Sequence, residues 1–281
     1  MASHAWRLLV TGARDGPTNM AIDEAVLRAR ITREAPPTVR FFGWAPPTVS
    51  LGYGQPLDER IDRTACARLG IGLVRRPTGG SAILHESPDR ELTYSVVARG
   101  GDFPGADDVL ETYRVLGASL VAGLARLGVR AQVVPLVRGR PAEAPAFCFA
   151  RTGAYEIAVG GRKLVGSAQR RQAGAFLQHG SILLDADPDR LRAIFPGPAD
   201  PMAGLVTLAG LLGRCLGADE VIAALAAGLA EGLGYALEPG DLAPAETDAV
   251  RRLVAEKYGA EAWTLSGVSA DAPGVSAQLA G

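Results

Sequence analysis

Cysteine and histidine are both scarce, with three of each in 281 residues. Cys66, Cys148 and Cys215 are odd in number and far apart, which excludes a disulfide framework and fits a reducing cytoplasm. His4, His85 and His179 form no HxxxH pair, and no CxxC accompanies them. A zinc site, which asks for several converging N, S or O ligands, is therefore not expected. An excess of charge is lacking as well. With 29 Lys and Arg against 30 Asp and Glu the net charge is -1, so nothing electrostatic calls for nucleic acid or an anionic membrane as the partner. No apolar run reaches the roughly 18 residues of a membrane span, and the opening MASHAWRLLVTG lacks the basic region and small-residue cleavage pattern of a signal peptide. Phosphate-binding signatures are missing too. The glycine turn in RRPTGGSAILHE, residues 75–86, matches neither GxxxxGK[ST] nor GxGxxG, and no acidic residue follows where a dinucleotide fingerprint would place one.

What is present is enough chain for one large domain or two modest ones with a substantial core. Trp6 to Val10 reads as a strand, and PTNMAIDEAVLRAR as a helix. Thr18 or Asn19 can cap that helix, Asp23 and Glu24 lie in its early turns, and Ile22, Ala25, Val26 and Ala29 form its apolar face. Strands are expected at 39–44 and again after a double-proline turn, followed by a helix over 58–69 with Cys66 on its buried side. LGIGLVRRP is a strand running into TGG, and ELTYSVVA alternates as a half-buried strand should. From 106 to 127, Val109, Leu110, Tyr113, Leu116, Leu120, Leu124 and Leu127 recur at helical spacing, the strongest helix signal in the chain. AQVVPLV is a strand, RGRPAEAPAF a surface loop, and AYEIAV, RKLVGSAQRR and AFLQHGSILL are three strands joined by short glycine turns. Such hairpins predict an α/β fold of the α+β type, with mixed, largely antiparallel sheets and packed helices. Beyond Pro188 the chain is Ala/Leu-rich and helical, with Cys215 expected in its core, then a helix over 244–258 and a loose tail.

Chemistry concentrates in two stretches. Cys148 follows a loop and has Arg151, Arg162 and Lys163 near it in sequence. Cations favour the thiolate of a group that ordinarily titrates near about 8.5. It reads equally as a nucleophile or as one of three residues, Phe147 to Phe149, that cover the sheet. Lys163, just after a GG turn, can stabilise a thiolate or developing oxyanion, or stand as an ordinary strand-end lysine. Gly79, Gly80 and Ser81 make one small-residue surface, and Gly166, Ser167 and Ala168 another, both permitting close approach of a ligand or a second backbone. His85 and His179 are each a candidate acid or base, or a satisfied core histidine.

NMAIDEA, PPTVSLGYGQ, RRPTGGSAILH, ELTYSV, YEIAVGGRKLVGSAQRR, FLQHGSILL and EKYGAEAWT, spread in this order from Asn19 to Trp263, resemble the landmarks of the lipoate-protein ligase and octanoyltransferase family. The resemblance implies a biotin/lipoate protein ligase-like catalytic domain over 1–230, with a C-terminal helical extension packed on it and a flexible tail over 231–281. CFARTGAYE is similar to the cysteine-bearing octanoyltransferase branch. There the matching residues make Cys148 the acyl carrier and Lys163 the group that lowers its pKa. The implied wall around a medium-chain acyl group comprises Arg76, Thr78, Gly79, Gly80, Ser81, His85, Gly166, Ser167, Ala168, Gln169, His179 and Gly180. No cofactor is implied. The donor would be octanoyl-acyl carrier protein, and the acceptor the lysine of an apo lipoyl-domain protein or the glycine cleavage H protein, served by a monomer in endogenous lipoate synthesis. Three alternatives stay open: an amidotransferase taking octanoate from the H protein, an ATP-dependent ligase, and a non-catalytic acyl- or lipoyl-domain-binding module.

Overall fold

The computed structural model describes residues 5–134, 155–197 and 200–267. Its elements in chain order are β1 (Trp6–Arg14), α1 (Gly16–Ile31), β2 (Thr38–Trp44), β3 (Thr48–Leu51), α2 (Arg63–Arg68), β4 (Gly72–Arg75), β5 (Ile83–His85) and β6 (Glu91–Arg99). Then follow α3 (Val109–Arg126), β7 (Gln132–Val133), β8 (Ile157–Val159), β9 (Arg162–Gln172), β10 (Ala175–Leu183), α4 (Pro188–Ile194), α5 (Leu208–Leu212) and α6 (Ala218–Leu233). The described chain ends with β11 (Leu237–Pro239), α7 (Pro244–Leu253), a π-helical turn at Val254–Tyr258 and α8 (Glu261–Ser266). The strands form an eight-stranded sheet, β11-β1-β2-β6-β10-β9-β8-β7, and a three-stranded sheet, β4-β3-β5. From β2 through β6, β10, β9 and β8 to β7 every pairing is antiparallel, while β1 runs parallel to both its neighbours. This is the mixed, largely antiparallel architecture that the hairpins predict. No described helix is long and apolar enough to cross a membrane.

Strand alternation explains where a cleft opens. On β10, Phe176 and Ile182 face a core built with Leu116, Leu120 and Leu124 of α3 and Val221, Leu225 and Leu229 of α6. On the opposite face Ala175 and Leu177 pack against Ile22 and Val26 of α1, and Leu183 against Val49 and Leu84 of the small sheet. His179 and Ser181 lie between those two apolar contacts on the same face, so α1 and the small sheet cover its ends and leave a gap over its middle. Behind the sheet, α3 and α6 cross so closely that a Cβ on Gly228 would overlap the Ser119 carbonyl oxygen. Residue 230 lies in the last turns of α6, which carries Leu233 into the same core.

Several local expectations are corrected. The cap of α1 is neither Thr18 nor Asn19 but Asp15, whose carboxylate accepts from the Thr18 amide at 2.7 Å. Asn19 is buried inside the helix, and its Nδ2 donates to the carbonyls of Arg14 (3.1 Å) and Gly43 (2.9 Å). Asp23 and Glu24 are buried, and Ala29 is only half-buried. Residues 58–62 are not helical; Asp62 caps the shorter α2 through the Ala65 amide at 2.8 Å. β6 is buried up to Ala98, because both faces of the sheet are covered. Val109 and Leu110 are exposed at the start of α3. Cys215 is exposed between α5 and α6, whereas Cys66 is buried and burial pushes its thiol up to about 11. Cys148, Arg151, His4, the RGRPAEAPAF loop and most of the tail lie outside the described residues.

Candidate active site

The glycine turn is held by its own arginines. Arg75 donates to six backbone carbonyls, those of Gly52, Tyr53, Gln55, Trp263, Thr264 and Leu265. Arg76 donates to the carbonyls of Ser50 (2.9 Å), Gly79 (2.6 Å) and Ser81 (2.9 Å) and to Ser50 Oγ at 3.2 Å. Both guanidinium groups therefore shape the loop from inside rather than standing outward as an anion clamp. Gly80 has φ +93°, a conformation that favours glycine. Gly52 packs so tightly beneath it that an added Cβ would overlap the Gly80 carbonyl oxygen. Gly52→Ala should therefore cost about 1–3 kcal/mol through overpacking, read as a lower melting temperature; an unchanged melt would show that the turn yields freely.

Between the turn and the large sheet lies a cavity enclosing about 410 Å³, open mouth included. Met20, Trp44 and Ile83 supply apolar wall, and Gly80, Ala168 and Gly180 are its small residues. Gly180 has no room for a side chain, since a Cβ would come 2.6 Å from Tyr94 Cε1. His85 stacks on Trp44 with ring centroids 3.9 Å apart and 15° between planes. Its Nε2 lies 2.9 Å from Ser50 Oγ and its Nδ1 3.3 Å from Glu91 Oε1. Burial lowers its pKa against the opposing pull of Glu91, which leaves a neutral imidazole at neutral pH. His179 Nε2 lies 2.6 Å from Thr78 Oγ1, and its Nδ1 3.0 Å from Asp23 Oδ2. Asp23 also accepts from Arg40 at 2.7 Å and Ser95 at 2.9 Å. Burial pushes the Asp23 pKa up, but Arg40 and His179 together outweigh it and hold the carboxyl below its ordinary value. The rings of both histidines have both nitrogens engaged. That fits a wall of fixed shape better than a proton acceptor facing a substrate.

Lys163 is the second residue of β9 and is wholly buried. Its backbone is pinned by bonds to the Gly204 carbonyl (2.8 Å) and the Val206 amide (3.0 Å), and its ammonium forms an ion pair with Glu156. It is not among the side chains lining the cavity. A second anchor comes from the C-terminal helices. Trp263 Nε1 donates to the Arg75 carbonyl at 2.9 Å, and Lys257 Nζ, 4.2 Å from the Trp263 ring, donates to Glu24 at 2.6 Å. The EKYGAEAWT stretch thereby grips the glycine turn and α1 together. Among the described residues no three His, Cys, Asp or Glu side chains converge as a metal site.

Residues 15–230 match the lipoyl protein ligase A/B catalytic domain. The octanoyltransferase LipM of Kyrpidia tusciae is 46% identical over 272 residues, covering 92% of this chain and 97% of that protein. That of Symbiobacterium thermophilum is 47% identical over 273 residues, covering 92% and 98%. The chain belongs to the lipoyl protein ligase A/B catalytic-domain family, among the LipM octanoyltransferases. The solved structure of a lipoate-protein ligase A bound with ATP superposes with a TM-score of 0.79 at 26% identity, covering 94% of this chain and all (100%) of that one. The fold is thus common to LipM proteins and ligases, and the architecture alone does not separate them.

Of the residues singled out in the sequence, this LipM-family structure brings Arg76, Gly80, His85, Ser167, Ala168, His179 and Gly180 to the cavity wall. Thr78 acts through His179, and Gly79 and Ser81 through Arg76. Gln169 does not line the cavity: its side chain bonds Gln178 and Arg171. Gly166 is not in the cavity lining; it pairs with the wall residue Ser181 of β10. Sequence reading missed Met20, Trp44, Ser50, Ile83, Thr93 and Ser181 as wall residues. It also passed over a compositional signal: of 29 basic residues only Lys163 and Lys257 are lysines, and each is paired with a glutamate in this fold.

Proposed function

We propose that the protein transfers an octanoyl group from acyl carrier protein through a thioester on Cys148 to the lysine of a lipoyl-domain protein such as the glycine cleavage H protein. The observation that carries this reading is full-length kinship with the LipM octanoyltransferases. The apolar cavity agrees with it. Burying an aliphatic tail of six or so methylenes there is worth about 5 kcal/mol at ~0.8 kcal/mol each. Burial keeps the His85 imidazole neutral, so that ring adds no charge to be desolvated by such a tail.

In the first half-reaction the Cys148 thiolate attacks the donor thioester carbonyl. A new C–S bond forms, the donor's C–S bond breaks and the donor thiol leaves with the proton Cys148 gave up. In the second half the neutral amine of the acceptor lysine attacks the Cys148 thioester, an amide forms, and the thiolate is returned while the amine proton passes to solvent. Thioester exchange is close to isoenergetic and aminolysis runs downhill, so activation is inherited from the donor and no nucleotide is consumed. The Lys163 ammonium favours the thiolate and the oxyanion of either addition.

The test gives purified protein octanoyl-acyl carrier protein, octanoyl-H protein, or free octanoate or lipoate with ATP and Mg²⁺, each with an apo lipoyl domain whose mass is followed. Transfer from octanoyl-acyl carrier protein without ATP is the expected result. Preference for octanoyl-H protein would make it an amidotransferase, and modification only with free acid and ATP would make it a ligase.

A further inference from the structure

A lysine ammonium taken out of water without a counter-ion gives up its proton readily, and a neutral amine can neither favour a thiolate nor hold an oxyanion. Lys163 is among the largest fully buried side chains of this fold, so its charge depends on what stands beside it. Glu156 stands beside it. The two lie on either side of the β8–β9 hairpin, with Ala158 opposite Lys163 and a register slip between Ile157 and Ala158 that lets the strand re-aim its side chains. The Glu156 carboxylate meets Lys163 Nζ in an ion pair. Neither partner is free to drift. The Glu156 carbonyl accepts from the Val134 amide at 2.8 Å, while Lys163 is held by Gly204 and Val206.

Among the described residues, the elements beside the pair carry few other ionisable groups. β8 itself (Ile157, Ala158, Val159) and the Gly204–Val206 segment carry none; on β9 the adjoining Arg162 is exposed. Tyr155 is stacked on Tyr113 of α3 with centroids 5.9 Å apart. Arg138, Arg140, Glu143 and Arg151 lie outside the described residues.

We propose that Glu156 is a positioning residue for acyl transfer, holding the Lys163 side chain in place and in its charged form. The catalytic consequence rests on the role given to Lys163 above; the pairing itself does not. Because the chain contains only two lysines, protein labelled with ¹³C,¹⁵N-lysine shows two side-chain signals, and Lys257→Arg leaves that of Lys163. In Glu156→Gln this signal should titrate about one to three pH units lower than in the unsubstituted protein, with Glu156→Asp in between. The kcat for transfer should fall about 10- to 100-fold, as when other groups that orient a functional side chain are lost. KM for the donor should hardly move, and the high-pH limb of kcat should shift down with the NMR midpoint. In a Lys163→Met background Glu156→Gln should add no further loss, since it acts through the lysine. An unmoved Lys163 titration in Glu156→Gln, or a full additional loss in the Lys163→Met background, would overturn the proposal. If Glu156→Gln does not fold, Glu156→Asp and the double variant still decide it. Normal turnover by Lys163→Met would remove the role of Lys163 in transfer while the NMR titration still tests the pairing.

Discussion

Cys148→Ser should accumulate no octanoyl adduct and lose transfer by at least about 1,000-fold, the scale on which removal of a nucleophile acts. Incubation of the unsubstituted protein with octanoyl-acyl carrier protein, followed by peptide mapping, should place one hydroxylamine-sensitive octanoyl group on the peptide containing Cys148. The other two thiols make this test sharp for opposite reasons. Cys66 is buried and its thiol pushed up to about 11, so it holds almost no thiolate at neutral pH and should stay unmodified until the protein unfolds. Cys215 is exposed and open to any small electrophile, so alkylation counts alone would mislead. Acylation by a protein-bound donor asks for more than exposure, because on the proposed reading the acyl chain is seated in the cavity while the carbonyl meets the sulfur. An adduct that persists in Cys148→Ser would take this residue out of the chemistry and leave kinship as the sole support for a thioester.

The parts of this fold that could be read in the sequence are those in which one element suffices. The three hairpin strands from Ile157 to Leu183 announce themselves by alternation and glycine turns, and α3 by its 3.6-residue stripe. β5 escaped because three residues, Ile83–His85, are too short to show a period, and β11 because Leu237–Pro239 gains its partner only by reaching β1 from the far end of the chain. The cap of α1 was misplaced because Asp15, Thr18 and Asn19 are all good capping residues, and only tertiary structure draws Asn19 inward to bond Gly43. Cys215 sits in an Ala/Leu-rich stretch, but at the break between two helices rather than on either stripe. The site was half legible. Small residues and histidines marked the two strands that form its walls, but the partners that fix each histidine, Asp23 and Thr78 for His179, Ser50 and Glu91 for His85, come from four other places in the chain. Pairing of that kind has no sequence period.

Asp23→Asn should lower the melting temperature by about 6–20 °C, from a loss of ~3–5 kcal/mol when one member of a buried ion pair is removed and ~2–4 °C per kcal/mol for a chain of this size. Asparagine keeps the shape of the side chain, so the loss isolates the charge. Arg40 is wholly buried, and of the contacts it makes now its guanidinium would keep Thr11, Asn19 and the Phe42 ring, none of them an anion. The pH dependence distinguishes this from a packing defect. The Asp23 carboxyl is held below its ordinary 3.8 by Arg40 and His179 against the opposing effect of burial. A group with a depressed folded-state pKa contributes its stability in full above the unfolded value and loses it as pH falls through the folded one. The gap in unfolding free energy between the two proteins should therefore close only below about pH 4, as acid neutralises Asp23 in the unsubstituted chain. Paired urea melts from about pH 5 down to about 3 follow that closure directly. A gap that stays open under acid would mean that the asparagine disturbs packing rather than charge. No gap at neutral pH would mean that Arg40 is held well enough by its neutral partners alone.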